Sequence, residues 1–390
     1  MRTSGGVFQG GPYDVIVLAP WLREGGADKG VLQYLDFYAT VFPRVLLITT
    51  RPEDSPWRTR VAPGVEILEA GWALASLCPE DQETVLFRLL LERAPALLHG
   101  IQSDLGWRVV SRWGAALQTQ IDCLLMSSFA HETDAQGRKG GYAATYLPTA
   151  RDHLDGILTD NRPYARQLIT EFALDPQKVW PVPFWVADPV TGAAPAPREA
   201  GDPPHILWVS RFCLQKRPDI LFEVARALPS VVFDVYGTPD RETGALYRKL
   251  QRLRNVRVHG AYGCFEDLVR EQRFDAFLYT TDSDGLPNVL LEAAQAGLPI
   301  VCPAHIGGLR DLIGPESGYP VAETNTAIDY QVALQSLLAN PGVAQERAKR
   351  AALLCRTRHT RAAFTTTMAT LVSSFGYGSP LARPADQEAS

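Results

Sequence analysis

Residues 274–304 read FDAFLYTTDSDGLPNVLLEAAQAGLPIVCPA, and this stretch decides the fold class. Its first apolar run, FDAFLYT, predicts a buried strand, and PNVLLEAAQA after the polar turn predicts a helix with Pro287 in its first turn. Gly297 predicts the end of that helix, and PIVCPA predicts the next strand. A strand, a helix and a second strand in this order indicate a parallel βαβ unit.

Apolar runs of the same kind recur along the chain. In the first half, the predicted strands are DVIVLAP (14–20), RVLLITT (44–50), VEILEA (65–70), PALLHG (95–100), IDCLLMSSFA (121–130) and DGILTDN (155–161). In the second half, HILWVSR, VVFDVYG and VRVHGAY precede the opening stretch. Most runs are continuous rather than alternating, which is typical of strands buried on both faces of a parallel sheet. With helical patterns such as LGWRVVSRWGAALQ between them, the runs predict an α/β fold.

Two such arrays are separated by a segment rich in proline, glycine and alanine. This segment, residues 189–203, cannot build a core and predicts a linker. The chain of 390 residues is also long for a single core. We therefore expect two doubly wound, Rossmann-like domains, residues 1–188 and 204–357, which face each other across a cleft. The polar composition of residues 377–390 predicts a disordered tail.

The composition excludes several classes of protein. A formal net charge of −5 argues against a nucleic-acid binder, which needs a basic face. The six cysteines are scattered, which favours reduced thiols over a disulfide framework or a zinc site. The N-terminal residues lack the layout of a signal peptide, and no apolar run has the length of a transmembrane helix. These features predict a cytoplasmic protein and leave peripheral contact with a membrane open.

Ligands of open α/β sheets bind beyond the carboxyl ends of the strands, so the loops there are informative. After the first strand, Gly25 and Gly26 allow a ligand to approach, and the next helix presents its first N–H groups to an anion. This loop is neither a dinucleotide fingerprint nor a Walker A loop, since Val31 stands in place of the lysine. His131 follows a central strand, where its imidazole could exchange protons with a bound group. A plain turn and a structural histidine remain open alternatives for these two features.

The segment VSRFCLQKRPD carries two cations in a strand-to-helix turn. Arg211 ends a predicted strand, and Lys216 lies at the entry to a helix. Two cations in one crevice would neutralise a diphosphate and stabilise its charge as it leaves. The alternative is a pair of ordinary surface cations at a helix end.

The turn TDSDGLPN of the opening stretch fits two chemistries. Asp282 and Asp284 have a spacing that could hold a divalent metal on a nucleotide diphosphate. Asp284 and Glu292, with seven residues between them, could instead bind a nucleotide-sugar without metal, because carboxylates accept hydrogen bonds from neighbouring hydroxyls. The Asp-x-Asp pattern is common in turns. Since Arg211 and Lys216 already supply cations for the diphosphate, we favour the chemistry without metal.

These residues together resemble the retaining, two-domain (GT-B) glycosyltransferases of group 1, glycosyltransferase family 4, over nearly the whole chain. The specific parts are the two cations of VSRFCLQKRPDIL, the run VRVHGAY, and DGLPNVLLEAAQAGLPIVCPAHIGG with its E-x7-E-like spacing and its trailing Gly307–Gly308 pair. The resemblance implies transfer of a sugar from a nucleotide diphosphate donor, such as a UDP- or GDP-sugar, with retention of configuration and without a metal or cofactor. The acceptor would be a glycan, a lipid-linked molecule or a small molecule in glycoconjugate synthesis.

The resemblance also implies roles for the candidate residues. Those implied as catalytic are Asp284, His131, Arg211 and Lys216. Those implied to bind the donor are Arg211, Lys216, Gly285, Leu286, Pro287, Asn288, Glu292, Gly25 and Gly26. The two cations would hold the donor diphosphate, and Glu292 would hold its ribose. A helix at residues 358–376 would cross back to the first domain.

One position departs from the family pattern. The family usually has glutamate where this chain has Asp284, and aspartate is one methylene shorter. The donor sugar would then sit differently, or Asp284 would play a reduced part. The departure keeps one alternative open, a catalytically silent module that binds nucleotide-sugars. A GT-B epimerase or phosphorylase is a second alternative, which keeps the enzyme class and changes the reaction.

Overall fold

The apolar runs form the strands of two separate parallel sheets in the computed structural model. It describes residues 13–23, 25–130, 132–133, 139–187, 201–322 and 324–377. The predicted linker at 189–203 and the predicted tail at 377–390 lie almost wholly outside these residues. The chain divides into two units. The first unit is Met1–Asp160, Ala165–Phe184 and Ala362–Ser390, and the second unit is Asn161–Tyr164 and Trp185–Arg361.

The elements follow each other in the alternating order that the sequence predicts. The strands of the first unit are β1 (Val15–Ala19), β2 (Val45–Thr49), β3 (Val65–Glu69), β4 (Leu97–Ile101), β5 (Cys123–Ser127), β6 (Glu132–Thr133), β7 (Lys139–Gly140), β8 (Gly156–Thr159) and β9 (Val179–Pro181). Those of the second unit are β10 (His205–Val209), β11 (Val232–Tyr236), β12 (Val256–Gly260), β13 (Ala276–Leu278), β14 (Ile300–Pro303) and β15 (Tyr319–Val321).

The α-helices lie between the strands and after the last of them. In chain order they are α1 (Gly26–Val41), α2 (Gly71–Leu74), α3 (Pro79–Arg93), α4 (Asp104–Leu117), α5 (Gly141–Ala150), α6 (Arg162–Phe172), α7 (Pro218–Ala227), α8 (Gly244–Leu250), α9 (Phe265–Glu271), α10 (Asn288–Gln295), α11 (Gly307–Arg310), α12 (Ala327–Ala339), α13 (Pro341–Arg358) and α14 (Arg361–Ser374). No helix in the described part of the chain combines the length and the apolar character that a membrane crossing requires.

The first sheet has seven strands in the order β3-β2-β1-β4-β5-β8-β9. All neighbouring strands run parallel, as the continuous apolar runs predicted. The strand order reverses between β1 and β4, which opens a crevice beyond their carboxyl ends. The sequence did not indicate β9, because its three residues end in a proline and carry no apolar run.

The second sheet has six parallel strands in the order β12-β11-β10-β13-β14-β15. Here the reversal falls between β10 and β13, so the loops after these two strands flank the crevice. The opening stretch of the sequence forms β13, α10 and β14, as predicted. Helix α10 begins at Asn288, so Pro287 is its N-cap rather than a residue of its first turn. Gly297 follows the helix with a left-handed φ of 72°, the conformation expected after a helix end.

The two faces of the second sheet are covered by different helices because strand side chains alternate. Ile206 and Trp208 of β10 belong to one buried cluster, which includes Leu221 of α7 and Leu334 of α12. Leu207 and Val209 point to the other face, where the cluster includes residues of α10 and α13. Both faces are buried, which is why the strands read as continuous apolar runs.

A buried histidine ties three elements of the first unit together. His99 of β4 has no exposed surface, and its Nδ1 lies 3.0 Å from the Tyr38 hydroxyl of α1. Its Nε2 lies 2.8 Å from Oγ of Ser127, the last residue of β5. Burial lowers the pKa of His99 to about 3, so the ring is neutral at physiological pH. His99 is therefore a structural residue that holds the carboxyl end of β5.

Candidate functional site

The loops that follow β10 and β13 are fastened to each other by hydrogen bonds. We call residues 210–217 the β10 loop and residues 279–287 the β13 loop. Gln215 makes several of these bonds: its Nε2 donates to Ser283 O at 2.7 Å, and its backbone carbonyl accepts from Asp282 N at 2.9 Å. The Thr281 hydroxyl donates to the same carbonyl at 3.1 Å. The switch point of the second sheet is therefore lined by one connected piece of structure.

Two buried hydrogen bonds in series fix the backbone of Lys216. The Thr280 hydroxyl donates to Lys216 O at 2.7 Å, and it accepts from the Trp208 indole N–H at 3.0 Å. Trp208 and Thr280 have no exposed surface. Because buried polar groups are costly to leave unpaired, this arrangement allows the backbone little freedom.

The side chain of Lys216 forms a compact polar cluster with two residues of the β13 loop. Lys216 is only 7% exposed, and its Nζ donates to the Tyr279 hydroxyl at 2.8 Å. The same ammonium forms an ion pair with Oδ2 of Asp284, which also accepts from the Tyr279 hydroxyl. The other oxygen of Asp284 accepts from Gly285 N at 3.0 Å. We call Lys216, Tyr279 and Asp284 the lysine cluster.

The charges of the lysine cluster hold Asp284 ionised. Burial alone would raise the pKa of this carboxyl, but the Lys216 ammonium and the hydrogen bonds from Tyr279 and Gly285 hold it below its ordinary value. Burial raises the pKa of Tyr279 well above its ordinary value, and the neighbouring Asp284 carboxylate adds to the effect. The Arg211 guanidinium opposes it, which places this second cation within electrostatic reach of the cluster. The phenol is therefore a neutral donor to a charged carboxylate.

Arg211 differs from Lys216 in its exposure. Its side chain faces solvent, and its hydrogen bond within the described structure runs from Nη2 to Oε1 of Gln215 at a long 3.4 Å. Most of its N–H donors therefore point towards solvent. A guanidinium of this kind can bind a phosphate through two parallel hydrogen bonds.

Asp282 and Asp284 do not face one common point. Arg217 donates to Asp282 Oδ1 at 2.8 Å and forms a second ion pair with Asp219, also at 2.8 Å. Asn325 Nδ2 lies 3.3 Å from the same oxygen of Asp282. Each aspartate therefore has its own cation, Arg217 for Asp282 and Lys216 for Asp284. Across the described residues, no group of three or more His, Cys, Asp or Glu side chains is arranged to hold a metal.

The remaining donor-side candidates continue from the β13 loop into α10. Leu286 and Gly285 are buried, and Asn288 and Glu292 lie one turn apart on the same face of α10, each 7% exposed. The first turn of α11 packs against the β13 loop, because a Cβ at Gly308 would lie 2.5 Å from Gly285 O. The Gly307–Gly308 pair thus permits a close backbone approach, with Gly308 as the residue that requires it.

The first unit contains the other candidates. Gly25 precedes α1 in an extended conformation, and Gly26 is the first residue of that helix. Asp28 closes the loop, since its Oδ1 accepts from Arg23 N at 2.9 Å. Gly30 has a packing role, because a Cβ there would lie 2.6 Å from the ring of Phe184. His131 lies outside the described residues.

Sequence reasoning missed three residues of the site. Tyr279 is the penultimate residue of the run FDAFLYT and has no role in the sequence-based prediction, although its hydroxyl lies at the centre of the lysine cluster. Gln215 and Arg217 flank Lys216 and have no predicted role either. The one signal in the sequence was the segment KRPD, in which Arg217 and Asp219 have the spacing of a local ion pair.

Comparison with known proteins gives matches to one class of enzyme. The family model described as glycosyl transferases group 1 matches residues 193–353. The O-antigen biosynthesis glycosyltransferase WbnH of Escherichia coli is 28% identical over 127 residues, which are 33% of this chain and 36% of that protein. The chain therefore spans about a third of the length of this curated relative.

Two solved structures are similar over almost the whole chain. Anabaena HepE in complex with UDP-glucose has a TM-score of 0.73 at 14% identity, over 92% of this chain and 99% of that chain. The sucrose-phosphate synthase of Thermosynechococcus elongatus has a TM-score of 0.71 at 18% identity, over 93% of this chain and 99% of that chain. At such identities the likeness shows the fold.

Proposed function

We propose that this protein is a retaining glycosyltransferase, because residues 193–353 match the model of the glycosyl transferases group 1 family and the chain has the GT-B fold. It moves a sugar from a nucleotide diphosphate donor to an acceptor hydroxyl. The observation that carries the proposal is the position of Lys216 and Arg211 at the switch point of the second sheet. Two cations at this place suit a diphosphate, the group that links the nucleoside of such a donor to its sugar.

In the proposed donor site, different residues bind the diphosphate, the ribose and the sugar of the donor. Lys216 and Arg211 hold the diphosphate, and Glu292 accepts hydrogen bonds from the ribose hydroxyls. The segment Gly285–Leu286–Pro287–Asn288 lies against the sugar and the phosphates, and a donor contact of Gly25 and Gly26 stays a prediction from the sequence. A UDP-sugar is the first choice of donor, since the structural neighbour HepE was solved in complex with UDP-glucose. A GDP-sugar is the second.

The reaction needs little covalent chemistry from the protein. The bond between the anomeric carbon and the diphosphate oxygen breaks, and the two cations stabilise the negative charge of the departing diphosphate. The acceptor hydroxyl forms its bond to that carbon on the face that the diphosphate leaves, which retains the configuration. The hydroxyl proton goes to the departing phosphate oxygen. His131 is a further candidate for contact with the donor sugar.

We expect UDP and UDP-glucose to stabilise the protein against heat without a divalent ion. Ligands that bind only the native state raise its free energy of unfolding, by about 2.7 kcal/mol at a hundredfold excess over Kd. Asp282 and Asp284 each have a cation of their own, so no metal is needed to bring a diphosphate to the site. The measurement is a thermal-shift series with UDP, GDP and UDP-glucose in excess EDTA. Stabilisation that appears only when magnesium is added would favour the alternative in which a divalent metal holds the diphosphate.

The acceptor is proposed to meet the carboxyl edge of the first sheet, among the loops after β1, β2 and β3. Trp72 is 58% exposed there. The residue before it, Gly71, packs directly against the backbone after β2, since a Cβ at Gly71 would lie only 1.9 Å from Arg51 O, and this contact fixes the position of Trp72. The exposed Arg51 guanidinium lies 5.4 Å from the centre of the Trp21 ring and has no carboxylate partner among the described residues. An aromatic platform beside an uncompensated cation suits a lipid-linked acceptor that carries both a sugar and a phosphate. This role implies a cytoplasmic protein with peripheral membrane contact.

Trp72→Ala should raise the KM for a lipid-linked acceptor about tenfold, since exposed aromatic anchors dominate binding surfaces. The stabilisation by UDP should not change, because Trp72 belongs to the first unit and the diphosphate cations to the second. Leu353→Ala, an equally exposed apolar residue of α13, is the matched control. Initial rates with lipid-linked and free oligosaccharides test the expectation. An unchanged KM for every acceptor that is turned over would contradict the proposed surface.

A further inference from the structure

The carboxylate of Asp284 is already engaged within the protein. Its Oδ2 accepts from the Lys216 ammonium and from the Tyr279 hydroxyl, and its Oδ1 accepts from Gly285 N at 3.0 Å. A carboxylate has about four acceptor positions, so three of them are in use. The side chain is 22% exposed, and the contacts it makes are with its own loops.

Lys216 needs a counter-charge because it is almost completely buried. An ammonium that is 7% exposed has lost most of its hydration, and an unpaired charge in such a place is strongly destabilising. Asp284 supplies the counter-charge in the structure. A diphosphate that binds to Lys216 brings negative charge of its own, so it competes with Asp284 for the same ammonium.

We propose that Asp284 is a positioning residue that neutralises Lys216 in the empty site and yields it to the donor diphosphate, rather than a ligand of the donor sugar. The proposal rests on the assignment of Lys216 to the diphosphate. Tyr279 and Gly285 N both continue to hold the carboxylate when Lys216 turns to the phosphate, so Asp284 keeps these two hydrogen bonds in both states. The lysine is thus paired before and after the donor arrives.

The length of the side chain supports this role. Aspartate places its carboxylate where Lys216 Nζ, the Tyr279 hydroxyl and Gly285 N converge. A glutamate would carry the carboxylate one methylene beyond this point. We expect Asp284→Glu to pair less well with Lys216 and to bind diphosphates more tightly than the wild-type protein.

The decisive variant is Asp284→Asn, which keeps the size of the side chain and can accept from Gly285 N but carries no charge. It should bind pyrophosphate and UDP about tenfold more tightly, because the ligand no longer competes with an internal ion pair. Its melting temperature without ligand should fall, since Lys216 loses its counter-charge, and UDP should raise it by more than in the wild type. Isothermal titration calorimetry and thermal shift measure the two effects.

Asp282→Asn is the matched control, since it removes a carboxylate charge two residues away that is paired with Arg217. It should change the affinity for pyrophosphate by less than about threefold, which measures the general effect of charge near the site. If Asp284 binds the donor sugar instead, Asp284→Asn leaves pyrophosphate and UDP affinity unchanged and weakens only the nucleotide-sugar, which overturns the inference. If the wild-type protein binds none of pyrophosphate, UDP and GDP, the proposed donor site itself is wrong and the inference falls with it.

Discussion

Lys216→Ala should lower turnover by about two to three orders of magnitude, the usual cost of removing one group that stabilises charge in a transition state. The backbone of Lys216 is held by Thr280, and its Nζ is bonded to Tyr279. Once the ammonium has turned from Asp284 to the bound diphosphate, it needs little further movement when charge develops on the departing group. The affinity for UDP should fall as well, because the same ammonium contacts the diphosphate before the reaction.

The control for this variant has to separate catalysis from folding. Lys216→Met keeps much of the aliphatic volume without the charge, and Asp284 retains the hydrogen bonds from Tyr279 and Gly285 N. Lys349→Ala, which removes an exposed lysine paired with Glu346, should leave turnover and melting temperature unchanged. Turnover close to normal in a folded Lys216→Met protein would refute the proposed role of the lysine. Steady-state kinetics and circular dichroism give the two readouts.

Gly308→Ala should impair both stability and donor binding. Its Cβ would lie 2.5 Å from Gly285 O, a backbone atom that cannot rotate away, so the β13 loop or α11 must shift. Overpacking of this kind costs about 1–3 kcal/mol in the free energy of unfolding. Since Gly285 N also holds Asp284, the shift reaches the lysine cluster, and we expect UDP affinity to fall about tenfold.

Gly314→Ala provides the comparison, because a Cβ at Gly314 meets no atom within 4 Å. Chemical denaturation and UDP titration of both variants distinguish a local clash from a general effect of replacing glycine. If Gly308→Ala and Gly314→Ala change the free energy of unfolding and the affinity for UDP equally, the backbone contact between α11 and the β13 loop is not constrained.

The sequence predicted the fold well because the signal is local and repeated. Each long apolar run contains a strand, the two-sheet α/β fold is confirmed, and residues 193–353 match the model of the group 1 family. The strands that it missed among the described residues are short: β6 and β7 have two residues each, and β9 and β15 have three residues each and contain a proline. Their place in the sheets is set by packing against neighbouring strands rather than by their own composition.

The candidate site was predicted only in part. The structure brings Lys216 and Asp284 together, whereas the sequence-based prediction assigned them separate partners, a diphosphate and a sugar. Their ion pair joins residues 68 positions apart, and no local pattern encodes such a pairing. Tyr279 looks like any aromatic strand residue until its hydroxyl is placed in three dimensions. Retention of configuration and the roles of Glu292 and His131 stay predictions.

The connection of the two loops through Gln215 has an energetic consequence. Ser283, Thr281 and Asp282 all bond to this one residue, so the β10 and β13 loops share their stabilising interactions. Substitutions in the two loops will therefore not contribute independently: the cost of a change in one depends on whether the other is intact. The β10 loop and the β13 loop together determine the shape of the site, and neither loop alone specifies it.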